Sequence, residues 1–220
     1  MSELRLHIAT LGLHANERVP HVVMNRGADK VVIIHSERNE EEAKDQVRDF
    51  VSSGMNASCV RVNPWNYEEV LATIIRVIVE HPEYDEVELN GSCGTRVMTA
   101  ATYMAAVLVN APVWFVTDEP NPVNRRIIEA RPVSISKLTE PKEMIFRRLL
   151  DAGGHIDSQR ELGSRTHLRA HSISKHLREL EDLRYIRRQR RGRTTSVDLT
   201  PLGEIVLRLK ILRQKESVQS

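Results

Sequence analysis

The stretch ELNGSCGTRVMTAA (residues 88–101) joins a strand-like run to a helix-like run through a glycine-rich turn. Gly91 and Gly94 permit positive φ angles and the close approach of another backbone or of a phosphate. Thr95 stands at the predicted start of the helix, where free amides and the helix dipole attract an anion, and Arg96 adds a permanent charge with a planar fork. The turn is therefore either a binding loop for a phosphate-type ligand or a tight connection with a solvated arginine.

Around this turn, the first 117 residues alternate between strand-like and helix-like segments. Strands are predicted at 4–10, 30–35, 57–62, 85–89 and 112–117, and helices at 17–26, 36–54, 66–81 and 95–109. The unbroken β-branched run KVVIIH (30–35) is typical of a strand that is covered on both faces. Alternation of strand and helix favours parallel pairing with right-handed crossovers. The sequence therefore predicts an α/β, Rossmann-like three-layer domain with a mostly parallel sheet.

Two loops meet at the carboxyl edge of such a sheet, which is where α/β proteins bind their ligands. One loop follows the first strand and the other follows the fourth. Their candidate ligand-binding residues are Thr10, Leu11, Gly12, His14, Asn90, Gly91, Ser92, Cys93, Gly94, Thr95 and Arg96. The patterns GxGxxG and GxxxxGK[ST] are both absent, so an ordinary NAD site and a P-loop are not expected.

Composition is ordinary for a globular protein, with 40% hydrophobic and 28% charged residues. No apolar run approaches the roughly 20 residues that a membrane helix needs, and the N-terminus lacks the pattern of a secretory signal. Cys59 and Cys93 form no CxxC pair, which indicates neither a disulfide framework nor a zinc site. We therefore expect a cytoplasmic protein without a membrane partner, a metal or a cofactor.

The net charge of +2 conceals two halves of opposite sign. Residues 1–139 carry 14 Lys and Arg against 19 Asp and Glu, a balance of −5, while residues 140–220 carry 18 against 11, a balance of +7. Within 165–193 there are ten basic and three acidic side chains. This division indicates that the second half meets a polyanion.

The second half has the element order of a winged helix-turn-helix. A helix at 142–154 precedes a short helix capped by Asp157 or Ser158, with Leu162 pointing inward. The run RAHSISKHLRELEDL (169–183) predicts a third helix, with Ile173, Leu177 and Leu180 on one face. A basic hairpin follows this helix, and Pro201 starts a last helix.

Short polar and basic side chains at the start of the third helix are the kind that reach base edges, and arginines in a wing reach phosphates. The candidate DNA-binding residues are Arg169, His171, Ser172, Ser174, Lys175 and Arg178 on the helix and Arg188, Arg190, Arg191 and Arg193 in the hairpin. The alternative for this half is a helical dimerisation module with a solvated basic face. The predicted domains are a sensing domain at 1–117, an ordered linker at 118–140 and a DNA-binding domain at 141–220.

Three stretches together carry a resemblance to a known family: HIATLG (7–12), ELNGSCGTRVMTAA (88–101) and HSISKHLRELEDLRYIRR (171–188). With its order of domains, the chain resembles the CARF-domain (CRISPR-associated Rossmann fold) transcriptional regulators with a C-terminal winged helix-turn-helix, found mainly in archaea. The resemblance implies sensing of a cyclic oligoadenylate, commonly cyclic tetra-adenylate, across the two-fold axis of a homodimer. It implies that Thr10, Leu11 and Gly12 form one ligand loop and residues 92–96 the other.

The leading hypothesis is a ligand-responsive regulator, of CRISPR-associated genes, that binds double-stranded DNA. A second hypothesis, also implied by the resemblance, is a ring nuclease that cleaves the cyclic oligoadenylate, for which His14 or Arg96 would orient the reacting groups. A third is a regulator that senses another small anion or nucleotide. For the homodimer, we expect a contribution from the last helix, through Ile205, Leu209 and Leu212.

Overall fold

A computed structural model describes residues 4–12, 17–117, 119, 121–133, 138–192 and 194–219 of the 220-residue chain. The chain divides into two compact units, Met1–Pro132 and Val133–Ser220. None of the helices within the described ranges is both long enough and apolar enough to cross a membrane.

The first unit is built on a six-stranded sheet with the order β3-β2-β1-β4-β5-β6. Its strands are β1 Arg5–Leu11, β2 Lys30–His35, β3 Asn56–Arg61, β4 Glu86–Asn90, β5 Val113–Val116 and β6 Ile127–Ala130. Its helices are α1 Arg18–Arg26, α2 Glu40–Ser52, α3 Tyr67–Val79 and α4 Arg96–Val109, with short 3-10 turns at Glu37–Asn39 and Pro122–Asn124. The first five strands are parallel and β6 is antiparallel to β5. The predicted Rossmann-like fold class is confirmed.

Alternating side chains of the sheet build two cores, one on each face. On β1, Leu6 and Ile8 pack with α3 and α4, whereas Ala9 and Leu11 pack with α1 and α2. All four of these side chains are buried because helices cover the sheet on both faces. This double coverage explains why the inner strands read as unbroken apolar runs.

Strand β6 lies inside the segment 118–140 that we predicted as a linker. It pairs antiparallel with β5, with Ile127 opposite Val116 and Ala130 opposite Val113. The division between the two units falls after Pro132, so this part of the segment belongs to the sheet of the first unit.

The second unit combines four helices with a three-stranded antiparallel sheet of order β7-β9-β8. Its elements are α5 Glu140–Asp151, β7 His155–Ile156, α6 Gln159–Thr166, α7 Ala170–Asp182, β8 Ile186–Arg191, β9 Thr194–Leu199 and α8 Pro201–Gln219. Strands β8 and β9 form the wing, as predicted. The two-residue strand β7 was not predicted, because so short a strand has no periodicity of its own.

The core of the second unit forms on the apolar stripe of α7. Ile173, Leu177 and Leu180 are buried together with Leu162 of α6, which confirms the predicted inward faces. The Ser158 side chain accepts a hydrogen bond from the amide of Glu161 and so caps α6. The opposite face of α7 takes no part in this core and is exposed.

A charged cluster joins two strands of the wing sheet. His155 Nδ1 lies 2.6 Å from Asp198 Oδ1, and His155 Nε2 lies 3.1 Å from Asp157 Oδ1. The hydrogen bond to Asp198, followed by that to Asp157, raises the pKa of His155 above its ordinary value. The pKa of His155 is higher in the folded protein than in the unfolded chain. The cluster therefore stabilises the fold fully at pH values below the unfolded pKa of His155, and this stabilisation is lost as pH rises through the folded pKa.

We expect Asp198→Asn to lower the pKa of His155 towards its ordinary value, because the replacement removes the main charged partner of the imidazolium. NMR titration of the imidazole resonances measures this, with Asp151→Asn, an acidic residue on α5, as the control that leaves the His155 pKa unchanged. An unchanged His155 pKa in Asp198→Asn would show that the pair does not form in solution.

Candidate functional site

A pocket of about 590 Å³ opens at the carboxyl ends of strands β1 to β4. The loops that follow these four strands supply its wall. The lining residues are Leu11, Gly12, Ser36, Glu37, Arg38, Asn39, Pro64, Trp65, Gly94, Thr95 and Met98. The position is that of the ligand site in open α/β sheets, and it lies where the sequence predicted the two loops to meet.

The loops after β1 and β4 pack backbone against backbone. A Cβ atom at Gly12 would lie 2.5 Å from both Cα and N of Gly94, and Gly94 has a φ of +99°. The hydroxyl of Thr10 donates to the carbonyl oxygen of Cys93 at 2.5 Å, which ties the same two loops together. Glycine is therefore required at both positions, and the two loops form one element.

Most polar side chains of the turn 90–96 form hydrogen bonds that fix the conformation of the turn. The side-chain oxygen of Asn90 accepts from the amide of Ser92 at 3.0 Å, and the hydroxyl of Ser92 accepts from the amide of Val116 at 2.9 Å. The Thr95 hydroxyl accepts from the amide of Met98 at 3.1 Å, which caps α4, and it donates to the carbonyl of Pro64 at 2.7 Å. These groups position the backbone of the turn.

The predicted ligand residues that the structure describes therefore lie in three places. Leu11, Gly12, Gly94 and Thr95 line the pocket, whereas Thr10, Asn90, Gly91, Ser92 and Cys93 stand behind it and Arg96 is exposed at the start of α4. His14 lies outside the described residues. Within the part of the chain that the structure describes, no group of three or more His, Cys, Asp or Glu side chains could hold a metal ion.

Cys93 is held as a neutral thiol. Its side chain is buried, and this burial raises its pKa to about 12, against a smaller opposing effect of the Arg18 charge. At neutral pH the thiolate, which is the nucleophilic form, is essentially absent. Cys93 is therefore a packing residue of the turn.

One arginine lies in the wall of the pocket, and a second follows the lining residue Thr95 at the start of α4. Arg38 lies in the wall, and Arg96 is the first residue of α4, whose N-terminus carries the positive end of the helix dipole. Both side chains are exposed, and neither has an ion-pair partner among the described residues. A phosphate or another anion in the pocket can therefore be met by the guanidinium group of Arg38.

Trp65 is the pocket residue that the sequence reasoning missed. Its side chain is 72% exposed, although its backbone is ordered by a hydrogen bond from its amide to the side chain of Asn63 at 3.1 Å. Arg38 was missed for the same reason, since we considered only the loops after the first and fourth strands. Both residues follow strands whose carboxyl ends share the same edge, and that position was the available signal.

The exposed face of α7 carries the predicted DNA-binding side chains. His171, Lys175 and Arg178 are exposed at helical spacing, opposite the buried stripe of the same helix. Arg169 is exposed at the N-cap, and Ser172 and Ser174 are half-buried. A groove of about 690 Å³ between α6 and α7 adds residues that were not predicted, which are Gln159, Arg160, Ser164 and His167.

Arg188, predicted as a DNA contact, is engaged inside the unit. Its guanidinium lies 2.8 Å from the carboxylate of Glu181, and its amide donates to the same carboxylate at 3.0 Å. This pair fastens strand β8 to the end of α7, so Arg188 positions the wing. Arg190 is exposed in the wing, whereas Arg193 and the side chain of Arg191 lie outside the described residues.

Residues 5–121 match the family model described as HFX_2341_N-like, N-terminal. This match covers more than half of the chain. The chain belongs to the HFX_2341_N-like, N-terminal family. The matched residues contain the pocket and both loops that form it.

A second family match covers the winged helix of this member of the HFX_2341_N-like family. Residues 144–194 match the model of the MarR family, and the matched segment contains α6, α7 and β8. The predicted order, a Rossmann-like domain followed by a winged helix-turn-helix, is therefore confirmed.

Several solved structures are similar to the chain. Can2 from Sulfobacillus thermosulfidooxidans, solved with cyclic tetra-adenylate, has 13% identity and a TM-score of 0.47 over 93% of this chain and 57% of that chain. The PcaV transcriptional regulator from Streptomyces coelicolor, solved with its natural ligand, has 26% identity and a TM-score of 0.32 over 36% of this chain and 60% of that chain. A type III CRISPR defence DNA nuclease activated by cyclic oligoadenylate has 15% identity and a TM-score of 0.47 over 83% of this chain and 30% of that chain. No curated protein matches the chain in sequence.

Proposed function

We propose that this protein is a ligand-responsive transcriptional regulator that binds double-stranded DNA through its winged helix and a cyclic oligoadenylate in the pocket of its first unit. Cyclic tetra-adenylate is the ligand of first choice, and CRISPR-associated genes are the proposed targets. The observation that carries this proposal is the presence, in one chain, of an anion-compatible pocket at the carboxyl edge and a basic, exposed recognition helix.

The chemistry of the pocket supports a nucleotide ligand. The backbones of Gly12 and Gly94 lie in the wall of the pocket, Arg38 adds a positive charge in the same wall, and Arg96 adds a second at the start of α4. The exposed indole of Trp65 offers a flat apolar face on which a base can stack, which is worth about 1–3 kcal/mol per base. A ring of phosphates and bases can use both the positive charge and the stacking face of Trp65, whereas a simple inorganic anion can use only the positive charge.

The chemistry of the second unit supports binding to duplex DNA. The N-terminal part of α7 presents polar and basic side chains of the kind that reach base edges in the major groove. The exposed Arg190 of the wing is suited to phosphate contacts. We propose a sensing domain at 1–117, a linker at 118–140 and a DNA-binding domain at 141–220, with strand β6 of the linker paired to the sheet of the first unit.

We further propose that the protein acts as a homodimer. One winged helix covers a short stretch of DNA, and two-fold symmetric regulators reach two half-sites. On α8, Ile205 and Leu209 are 55% and 41% exposed, which supports a contribution of this helix to the dimer. The side chain of Leu212, predicted on the same face, lies outside the described residues.

The test of the proposal is a DNA titration with and without cyclic tetra-adenylate, using a fragment selected from a random library by binding to the protein. Coupled sites influence each other by about 1–3 kcal/mol, so we expect the ligand to change DNA affinity by about 5–150-fold. Arg96→Ala should weaken ligand binding about tenfold or more, and at a matched ligand concentration should remove the change. Ligand-free DNA binding should stay intact.

Arg48→Ala is the matched control, because Arg48 is an exposed arginine on α2 that does not line the pocket. Identical wild-type curves at saturating ligand would remove the sensing proposal and leave a DNA-binding protein. Cleavage of a labelled ring by the protein would favour the ring nuclease instead. A larger thermal shift with another nucleotide or anion would favour a different ligand.

A further inference from the structure

The loop between β5 and β6 is fastened to the start of helix α1 by an ion pair. Arg125 Nη1 lies 2.6 Å from Glu17 Oε2, and Arg125 Nε donates to the carbonyl oxygen of Glu119 at 3.3 Å. The side chain of Arg125 is only 15% exposed, whereas that of Glu17 is 67% exposed. Arg125 therefore lies within the loop and uses its fork of donors to hold two segments that are far apart in the sequence.

The start of α1 also contacts the glycine-rich turn at 90–96, which supplies part of the pocket wall. Arg18, next to Glu17, places its Nη1 atom 3.5 Å from the carbonyl oxygen of Ser92. Helix α1 itself follows the loop of Gly12, which supplies another part of that wall. The N-terminal end of α1 thus contacts both the turn of the pocket and the β5–β6 loop.

A second set of contacts runs from the same turn to the same loop through the end of β5. The hydroxyl of Ser92 accepts from the amide of Val116 at 2.9 Å. The amide of Thr117 donates to the carbonyl oxygen of Arg126 at 3.0 Å, and the hydroxyl of Thr117 accepts from the amide of Arg126 at 2.9 Å. Together with the ion pair, these bonds close a ring of contacts that holds the turn and the loop together on two sides.

The β5–β6 loop leads directly towards the end of the first unit. Strand β6 follows the loop and pairs antiparallel with β5. It ends at Ala130, two residues before the first unit ends at Pro132. The loop that Arg125 anchors therefore lies between the pocket turn and the point at which the chain enters the second unit.

We propose that Arg125 is a positioning residue through which the ligand pocket and the DNA-binding unit influence each other. This inference rests on the proposed function, because it names a contact that carries the effect of the ligand. A ligand that moves the turn 90–96 also moves the start of α1, and the Glu17–Arg125 pair passes this movement to the loop that precedes β6. A continuous network of ion pairs and hydrogen bonds is a physical route for such coupling, and its effect on the two binding sites is reciprocal.

The first experiment measures the coupling as the ratio of the DNA dissociation constants without and with saturating cyclic tetra-adenylate. The wild-type ratio should differ from one by about 5–150-fold, and this factor should be at least about threefold smaller in Arg125→Ala, because one side of the ring of contacts is then open. Arg126→Ala is the matched control. Arg126 is the adjacent exposed arginine, and its bonds to Thr117 are made by its backbone. It should keep the wild-type ratio.

Glu17→Gln tests the ion pair from its other side. The Glu17 side chain is exposed, and a partly exposed ion pair contributes little to folding stability, so this variant stays folded even if Arg125→Ala does not. It should reduce the coupling to the same extent as Arg125→Ala. Combining the two replacements should reduce the coupling no further, as expected of two residues that act through one contact.

The second experiment follows the segment directly and needs no DNA. Amide hydrogen exchange of residues 117–131 is measured by mass spectrometry with and without cyclic tetra-adenylate. The ligand should change the exchange rates of this segment in the wild type and in Arg126→Ala, and should change them at least about threefold less in Arg125→Ala. A contact that served only to stabilise the fold would not alter this response to the ligand.

The outcomes separate this inference from the proposed function. A wild type whose DNA affinity does not respond to saturating ligand would overturn both. A wild type that responds, with the same ratio and the same exchange response in Arg125→Ala and Glu17→Gln, would overturn only the role of Arg125. Equal losses in Arg125→Ala and Arg126→Ala would also overturn that role, because the charge of the loop, rather than the ion pair, would then be the cause.

Discussion

Reversing two charges on the recognition helix, with Lys175→Glu and Arg178→Glu together, should weaken DNA binding by about 1,000-fold or more. Both side chains are exposed on the face of α7 opposite its buried stripe, so the replacements leave the core intact. Each lost base or phosphate contact costs about 1–3 kcal/mol, and each new carboxylate repels the DNA backbone. Loss of phosphate contacts should also reduce the slope of log affinity against log salt by about one per contact.

Fluorescence anisotropy titrations at several salt concentrations measure both quantities. The control is the pair Arg147→Glu and Arg148→Glu on α5, which changes the charge of the same unit by the same amount on exposed arginines. Equal losses in the two double variants would mean that net charge, rather than the face of α7, determines DNA binding. A normal melting temperature in each variant excludes unfolding as the cause.

Gly12→Ala should weaken ligand binding in the pocket by about 100-fold or more and lower the melting temperature. The new Cβ would lie 2.5 Å from the backbone of Gly94, and the hydrogen bond from the Thr10 hydroxyl to the Cys93 carbonyl holds that loop in place. The two loops must therefore separate. Overpacking of this kind costs about 1–3 kcal/mol, which in a chain of this size is a shift of several degrees.

Calorimetric titration with cyclic tetra-adenylate and a thermal melt measure these effects. We expect affinity to fall by about 100-fold or more, since the loss of a preorganised loop removes several phosphate contacts at once. Gly163→Ala is the control, because the nearest atom to its new Cβ would be 3.8 Å away, which is ordinary contact. Wild-type ligand affinity in Gly12→Ala would show that these two loops do not form the binding site.

Local patterns in the sequence were sufficient to predict most of the elements. KVVIIH was predicted and is found as β2, and the N-cap at Asn66 is observed, with its side chain accepting from the amide of Glu69 at 3.2 Å. The inward stripe of α7 followed from the spacing of Ile173, Leu177 and Leu180. These features depend on residues within one or two turns of each other, so the sequence alone contains their cause.

The position of the pocket could be predicted from the sequence, but the full set of residues that line it could not. The alternation of strands and helices placed the loops after β1 and β4 at one edge, and Gly12 and Gly94 do pack together there. The contributions of Arg38 and Trp65 come from loops after other strands, and only the order β3-β2-β1-β4 brings them to the same opening. Strand order is a long-range property that no local pattern records.

What the sequence by itself determined is the type of most elements, the buried faces of α6 and α7 and the charge of each half. What only the tertiary structure decided is the partner of each polar group. Ser92 was a candidate ligand contact but accepts from the amide of Val116, and Arg188 was a candidate DNA contact but pairs with Glu181. A hydrogen bond or an ion pair joins atoms brought together by the packing of separate elements, whereas periodicity reports only which side of an element is buried. The fold therefore decided which polar groups pair within the chain, whereas the sequence was enough to predict the buried apolar stripe of α7.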